Sequence, residues 1–216
     1  MSHQLEVEAL FDEWAVEDGA VDMAREHWAR VEPVLSTIAV SDGRYLEIGP
    51  GNGYALEYMA RSKFSSGHVC AVELSREMAS ISARRVQDLD NVVIDIGSFQ
   101  AWQAPDGMKF ELIFSMEVFY YFQDISAAIQ KAADLLTPAG ELIVMVDYYE
   151  ESEASRDWSQ ELGVTLTRWP QGRYLEAFKA AGLHQVTQQI QYGGVQEHGL
   201  TLCTRGKKGQ PEQVGV

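Results

Sequence analysis

The chain is short of basic residues, of cysteine and of long apolar runs, and each shortage removes a class of function. Only 17 lysines and arginines stand against 32 aspartates and glutamates, a formal net charge of -15 at pH 7. Binding to phosphate backbones or anionic lipid relies on clustered cations, so neither nucleic acid nor a membrane is expected as a partner. The one basic cluster, Arg205-Gly206-Lys207-Lys208, leads into a Gly/Gln/Pro tail and reads as a frayed terminus. Two cysteines, Cys70 and Cys203, lie inside apolar runs, where the residue behaves as a small hydrophobe. No disulfide framework or thiolate metal site is expected. No apolar run approaches the ~18 residues of a membrane span. The stretch Met1-Ser2-His3-Gln4-Leu5-Glu6-Val7-Glu8 has no basic segment leading into an apolar core, so a cytoplasmic location is expected.

What is present is ordinary for a folded domain. Hydrophobic residues make up 46% and charged residues 23% of 216 positions, which suits one core with one site. Residues 5–39 carry apolar side chains at helical spacing and predict two helices broken near Gly19. From Ser41-Asp42-Gly43 onward, short apolar runs (44–48, 68–73, 92–96, 110–115 and 141–146) alternate with helical stretches (54–61, 76–87 and 125–136). That alternation predicts βαβ units and a parallel sheet covered on both faces. Pro138 and Gly140 place a turn before the fifth strand. A helix over 173–181 closes at Gly182, and two last strands, 185–192 and 199–204, join through Gly193-Gly194 as a hairpin. The expected fold is therefore α/β: a doubly wound, seven-stranded, mostly parallel sheet with an antiparallel last strand, helices on both faces and an N-terminal helical cap. Residues 1–205 form one domain, with 1–40 as the cap and 148–169 as a lid-like insertion, and 206–216 are expected as a flexible tail.

The most informative stretch is Tyr45-Leu46-Glu47-Ile48-Gly49-Pro50-Gly51-Asn52-Gly53, a strand ending beside an acid and followed by three alternating glycines. Such a turn lets backbone approach a nucleotide-like ligand where the first strand opens. A dinucleotide fingerprint wants a further glycine at the position held by Tyr54, and no Gly-Lys-Ser/Thr follows for a Walker loop. Glu73 closes the next strand about twenty residues on, where such folds hold a ribose through its hydroxyls.

In this order the motifs resemble those of class I S-adenosylmethionine-dependent methyltransferases over roughly residues 45–146. The resemblance implies that Glu47 and the amides of Gly49, Gly51 and Gly53 hold the methionine part of the cofactor, with Glu73 on the ribose. It implies that Leu74 and Met78 pack against adenine, that Ser98 and Phe99 stand where many members contact the adenine amino group, and that Met116 joins this set. Ser98 departs from the usual Asp, and Ala139 replaces the first glycine of the family's Leu-x-Pro-Gly-Gly turn.

Methyl transfer needs an in-line nucleophile and a dry pocket more than a strong acid or base, so the reaction is easier to read than its substrate. A small-molecule acceptor is expected, with no metal. Asp147 follows the fifth strand, where some relatives place a metal ligand, but no partner pair accompanies it. The turn Ser115-Met116-Glu117-Val118 lacks the Asn-Pro-Pro-Tyr pattern of amino-directed DNA methyltransferases. Tyr120, Tyr121 and Tyr148 follow strand ends and are candidates for the pocket wall, and His27 on the cap is a candidate base. The alternatives are a cofactor-binding or regulatory protein without transfer activity, and a methyltransferase acting on protein or RNA.

Overall fold

The computed structural model describes residues 2–16, 19–193 and 200–209. Two helices open the chain, α1 (His3–Val16) and α2 (Gly19–Leu35), and the first strand is β1 (Arg44–Ile48). Then follow α3 (Tyr54–Tyr58), β2 (His68–Glu73), α4 (Arg76–Arg85), β3 (Val92–Ile96), β4 (Phe110–Met116), α5 (Ile125–Asp134), β5 (Leu136–Val146), α6 (Trp158–Glu161), α7 (Gln171–Ala180), β6 (Leu183–Tyr192) and β7 (Leu200–Lys208). The strands form a single sheet in the order β3-β2-β1-β4-β5-β7-β6, parallel except for β7, which runs antiparallel to β5 and β6.

Side chains of a strand alternate between faces, and the core divides accordingly. Leu46, Ile48, Cys70 and Val72 pack on one face with residues of α5 and α7. Tyr45, Val69 and Ala71 pack on the other with residues of α2 and α3. The order of strands reverses between β1 and β4, and the crevice beyond their carboxyl ends is where an open sheet of this kind binds ligands. The buried Ser115 hydroxyl donates to the Ile48 carbonyl at 2.8 Å and ties the two strands at that point.

The strand bounds predicted for β1, β2 and β3 coincide with those observed. Three local readings change. The stretch 54–61 is two pieces, because α3 passes at Met59 into a π-helical turn, Met59–Lys63, closed by the Phe64 amide on the Met59 carbonyl at 2.8 Å. β5 begins at Leu136 and carries Pro138 across a register shift, a place where a strand tolerates a residue without an amide proton. Ala139 there has φ of +64°, so the backbone keeps a conformation that suits glycine.

The third change is the supposed tail. β7 continues to Lys208 because the Arg205 guanidinium donates twice to Glu141, at 2.7 and 3.0 Å, and Gly206 packs under Leu183, Phe178 and Val186. The domain thus extends past residue 205, and residues 210–216 lie outside those described. So does Gly194 of the expected hairpin turn. Residues 148–169, expected as a lid-like insertion, contain the short α6. Trp158 of α6 stacks on Tyr148 with centroids 6.3 Å apart, while Glu150, Glu151 and Glu153 are exposed. Among the described residues no helix is long and apolar enough to cross a membrane.

Candidate active site

The glycine turn after β1 is held in its shape from three sides. Gly49, Gly51 and Gly53 have φ of +68°, +55° and +78°, a region that favours residues without a Cβ. The Gly49 amide donates to the Val72 carbonyl at 2.9 Å, and the Gly51 amide donates to Glu73 Oε2 at 3.0 Å. From α4, Ser82 donates to the Gly51 carbonyl at 2.8 Å and Arg85 to the Asn52 carbonyl at 2.9 Å. A Cβ on Gly49 would lie 2.4 Å from Val118 Cγ2, so the turn after β1 touches the turn after β4 directly.

A cavity of about 530 Å³ opens beyond these turns, roofed by α1 and α2. Of the residues singled out in the sequence, Glu47, Gly49, Gly51, Glu73, Leu74, Ser98, Phe99 and Met116 line it, as do His27, Tyr120 and Tyr121. Three do not. Gly53 faces α4, where an added Cβ would meet Ser82 Oγ at 2.7 Å. Met78 is wholly buried in the first turn of α4, its amide capped by Ser75 Oγ at 3.0 Å. Tyr148 stands behind the wall, against Tyr120 and Trp158. The Ser98 hydroxyl donates to Gln100 Oε1 at 2.7 Å, so two polar side chains come together there.

Carboxylates dominate the polar part of the cavity. Glu47 is buried at the end of β1 and accepts from the Tyr45 hydroxyl at 2.8 Å. Burial pushes its pKa up to about 8, the Tyr45 hydrogen bond opposes this, and the nearby Glu73 adds to it. Glu73 accepts from the amides of Gly51 and Ser75, and burial raises its pKa against those bonds. Because the folded chain holds the Glu47 proton to higher pH than the unfolded chain, the stability this group contributes is full below about pH 4.5 and is lost as pH rises through about 8. Glu47→Gln keeps an acceptor for Tyr45 and removes the titration. It is expected to flatten the fall in melting temperature between pH 4.5 and 8, measured by thermal denaturation across that range; an unchanged slope would show that Glu47 is not its source.

His27 behaves oppositely, held neutral with its pKa lowered to about 4 by burial and by the charge of Arg30.

One residue of the cavity wall, and one that reaches it through Asp147, escaped the sequence reading. Glu117, in the turn after β4, has φ of +60° although it is not glycine, a strained conformation of the kind that concentrates at functional sites. Its Oε2 accepts from the Tyr120 hydroxyl at 2.8 Å and its Oε1 from the Asp147 amide at 2.5 Å. Burial, and then the charge of Asp147, raise its pKa well above the ordinary range. The second is Arg30 of α2, buried, with Nη2 3.1 Å from Asp147 Oδ2. The only signal for Glu117 was an acid three residues ahead of a tyrosine, and for Arg30 there was none, since one cation on an amphipathic helix is normally solvated.

The Tyr54 hydroxyl is buried with no hydrogen-bond partner among the described residues, and Tyr54 itself lines the cavity. At Gly97 an added Cβ would meet nothing within 4 Å. Among the described residues no cluster of three or more His, Cys, Asp or Glu could hold a metal ion.

The profile of the methyltransferase domain family matches residues 22–189. A chain solved in a complex with the Trm112 methyltransferase activator of Haloferax volcanii is 27% identical. It superposes with a TM-score of 0.80 over 93% of this chain and 98% of that one. A ubiquinone biosynthesis O-methyltransferase of Xanthomonas euvesicatoria is 28% identical over 149 residues, 66% of this chain and 60% of its own length. The chain thus spans less than two thirds of that curated relative. The N-methyltransferase NodS of Bradyrhizobium japonicum, solved with S-adenosyl-L-homocysteine, shares the fold at 20% identity and a TM-score of 0.65, with 84% of this chain and 85% of that one covered.

Proposed function

The chain belongs to the methyltransferase domain family, and from that membership we propose that it transfers a methyl group from S-adenosylmethionine to a small-molecule acceptor. The observation that carries this reading is the positive-φ glycine turn hydrogen-bonded to Glu73 at the mouth of a large cavity. The residues fit the donor in three ways. The unpartnered Tyr54 hydroxyl offers a donor for the amino-acid end, beside the Gly49–Gly51 backbone. Each Glu73 oxygen accepts one amide and has a further lone pair for a ribose hydroxyl. Leu74 and Phe99 offer apolar faces for a base, and the open space at Gly97 leaves room beside it.

When bound, the donor supplies a methyl group activated on a positively charged sulfur. The chain's own work is then to exclude water and to hold the acceptor in line. Phe11, Tyr120, Tyr121 and Phe122 form an apolar wall suited to the first task.

Calorimetric titration with S-adenosylmethionine and S-adenosylhomocysteine tests the reading, followed by a search of metabolite extracts for label from an isotopically labelled methyl donor. Binding of both with labelled product is the expected result; binding of neither overturns it. Glu73→Gln keeps a hydrogen-bond acceptor but loses the charge, and is expected to weaken both ligands by about tenfold. Binding with no label in metabolite, protein or RNA would instead identify a cofactor-binding protein without transfer activity.

A second reading is favoured by one edge of the sheet. On β3, Val93 and Ile96 are about half exposed beside an unpaired row of backbone groups, a template for another strand. With the likeness to the chain solved with Trm112, this supports a partner protein and a macromolecular acceptor. Label in the protein or RNA fraction, with the chain co-eluting with a second protein, would favour it over a small-molecule acceptor.

A further inference from the structure

The cavity is lined by aromatic rings and acids and, among the described residues, by no lysine or arginine. That combination selects against acceptors carrying phosphate or carboxylate, which would meet Glu117 and Glu161 and no lysine or arginine. It suits a cation, which is attracted both to carboxylates and to ring faces. The rings are grouped at one place: Tyr120 lies 4.6 Å from Tyr121 and 6.4 Å from Trp158, centroid to centroid, and Phe11 lies 5.2 Å from Tyr121. Glu117 is attached to this group through the Tyr120 hydroxyl, while Glu47 and Glu73 are engaged with Tyr45 and the glycine turn.

The geometry points to an amine as the acceptor, bound as its ammonium ion against Glu117 and the rings of Tyr120, Tyr121 and Trp158, with Glu117 taking the ammonium proton. This rests on the methyl-donor reading above. The step balances without further reagents. An N–H bond of the ammonium breaks and its proton passes to a Glu117 oxygen. The freed nitrogen lone pair forms the N–C bond to the methyl group as the C–S bond breaks, its electron pair staying on sulfur. The proton then leaves Glu117 to solvent.

Proton release also follows from where Glu117 sits. The ionisable groups around it are Arg30 from α2, Tyr54 from α3, Tyr120 and Tyr121 from the turn after β4, Asp147 after β5 and Tyr174 from α7. Arg30 is the single cation of that set, and it already faces Asp147 at 3.1 Å. In the empty cavity the balance of burial and the Asp147 charge favours the protonated form of Glu117 relative to an ordinary carboxyl group. An ammonium ion beside it reverses that balance, so binding releases a proton.

The test uses the full chain saturated with S-adenosylhomocysteine, which removes the sulfonium charge from the comparison. Three probes of similar shape are titrated: 2-phenylethylamine, 2-phenylethanol and 3-phenylpropionate. The amine is expected to bind at least about tenfold more tightly than the other two. Calorimetry in buffers of different ionisation enthalpy should show proton release for the amine at pH 7. Glu117→Gln, with S-adenosylhomocysteine affinity and melting temperature as controls for folding, should lose the preference and the proton release together. If that variant does not fold, Tyr120→Phe is expected to show a reduced preference. Equal or tighter binding of the alcohol or carboxylate, no binding of the amine, or a preference that survives in Glu117→Gln would overturn the inference. Failure of S-adenosylhomocysteine to bind would instead overturn the donor reading, so the two are separable.

Discussion

Replacing Arg30 by methionine is expected to destabilise the fold by about 3–5 kcal/mol, the scale for removing one partner of a buried ion pair. Arg30 and Asp147 expose only 6% and 12% of their side chains. Asp147 would keep its hydrogen bond from the Thr201 hydroxyl at 2.5 Å, but its charge would lose Arg30 while remaining close to Glu117. For a chain of this size the loss amounts to a fall in melting temperature of roughly 6–20 °C. The pair itself need not be a net stabiliser, since taking two charges out of water offsets much of their attraction. The double variant Arg30→Met/Asp147→Asn is therefore expected to recover much of the single variant's loss. A single variant within about 1 kcal/mol of the parent in chemical denaturation would show that the other interactions of Asp147 hold its charge without this guanidinium.

Gly49→Ala is expected to weaken S-adenosylhomocysteine by roughly a hundredfold while leaving a folded protein, the sum of two separate effects. The first is conformational: φ of +68° is disfavoured for alanine by about 1–2 kcal/mol. The second is steric, because the new methyl group would lie 2.4 Å from Val118 Cγ2. Val118 follows Glu117, so relief of that clash moves the turn that carries the acid. Calorimetry on the variant checks the first consequence. An affinity within threefold of the parent would mean that the two turns part without disturbing the ligand.

The strands of the first half could be read from the sequence because each is a short apolar run bounded by turn residues, and β1 and β2 are buried on both faces. The later elements were harder for identifiable reasons. β5 starts before Pro138 because a register shift absorbs the proline, a tertiary accommodation that local preference opposes. The residues at 205–208 looked solvated by composition, and only the glutamate across the sheet at position 141 explains why Arg205 is held in a strand.

The glycine turn, Glu73 and the aromatic wall were legible because residue type and spacing both constrain them. Met78 and Tyr148 were placed at the wall by position in the chain. Met78 turns into the core of α4, and Tyr148 is drawn back by the flat surface of Trp158. Glu117 and Arg30 could not be read in advance because their importance is relational. Each matters through Asp147, which stands on a third element and meets them only when the sheet is assembled.

The seating of α1 has a practical side. His3 donates from Nε2 to the Tyr121 carbonyl at 2.8 Å, and both His3 and Gln4 border the cavity. The start of α1 therefore borders the cavity. Changes at His3 or Gln4 are thus changes to the binding space itself, although both stand more than forty positions ahead of the glycine turn in the sequence.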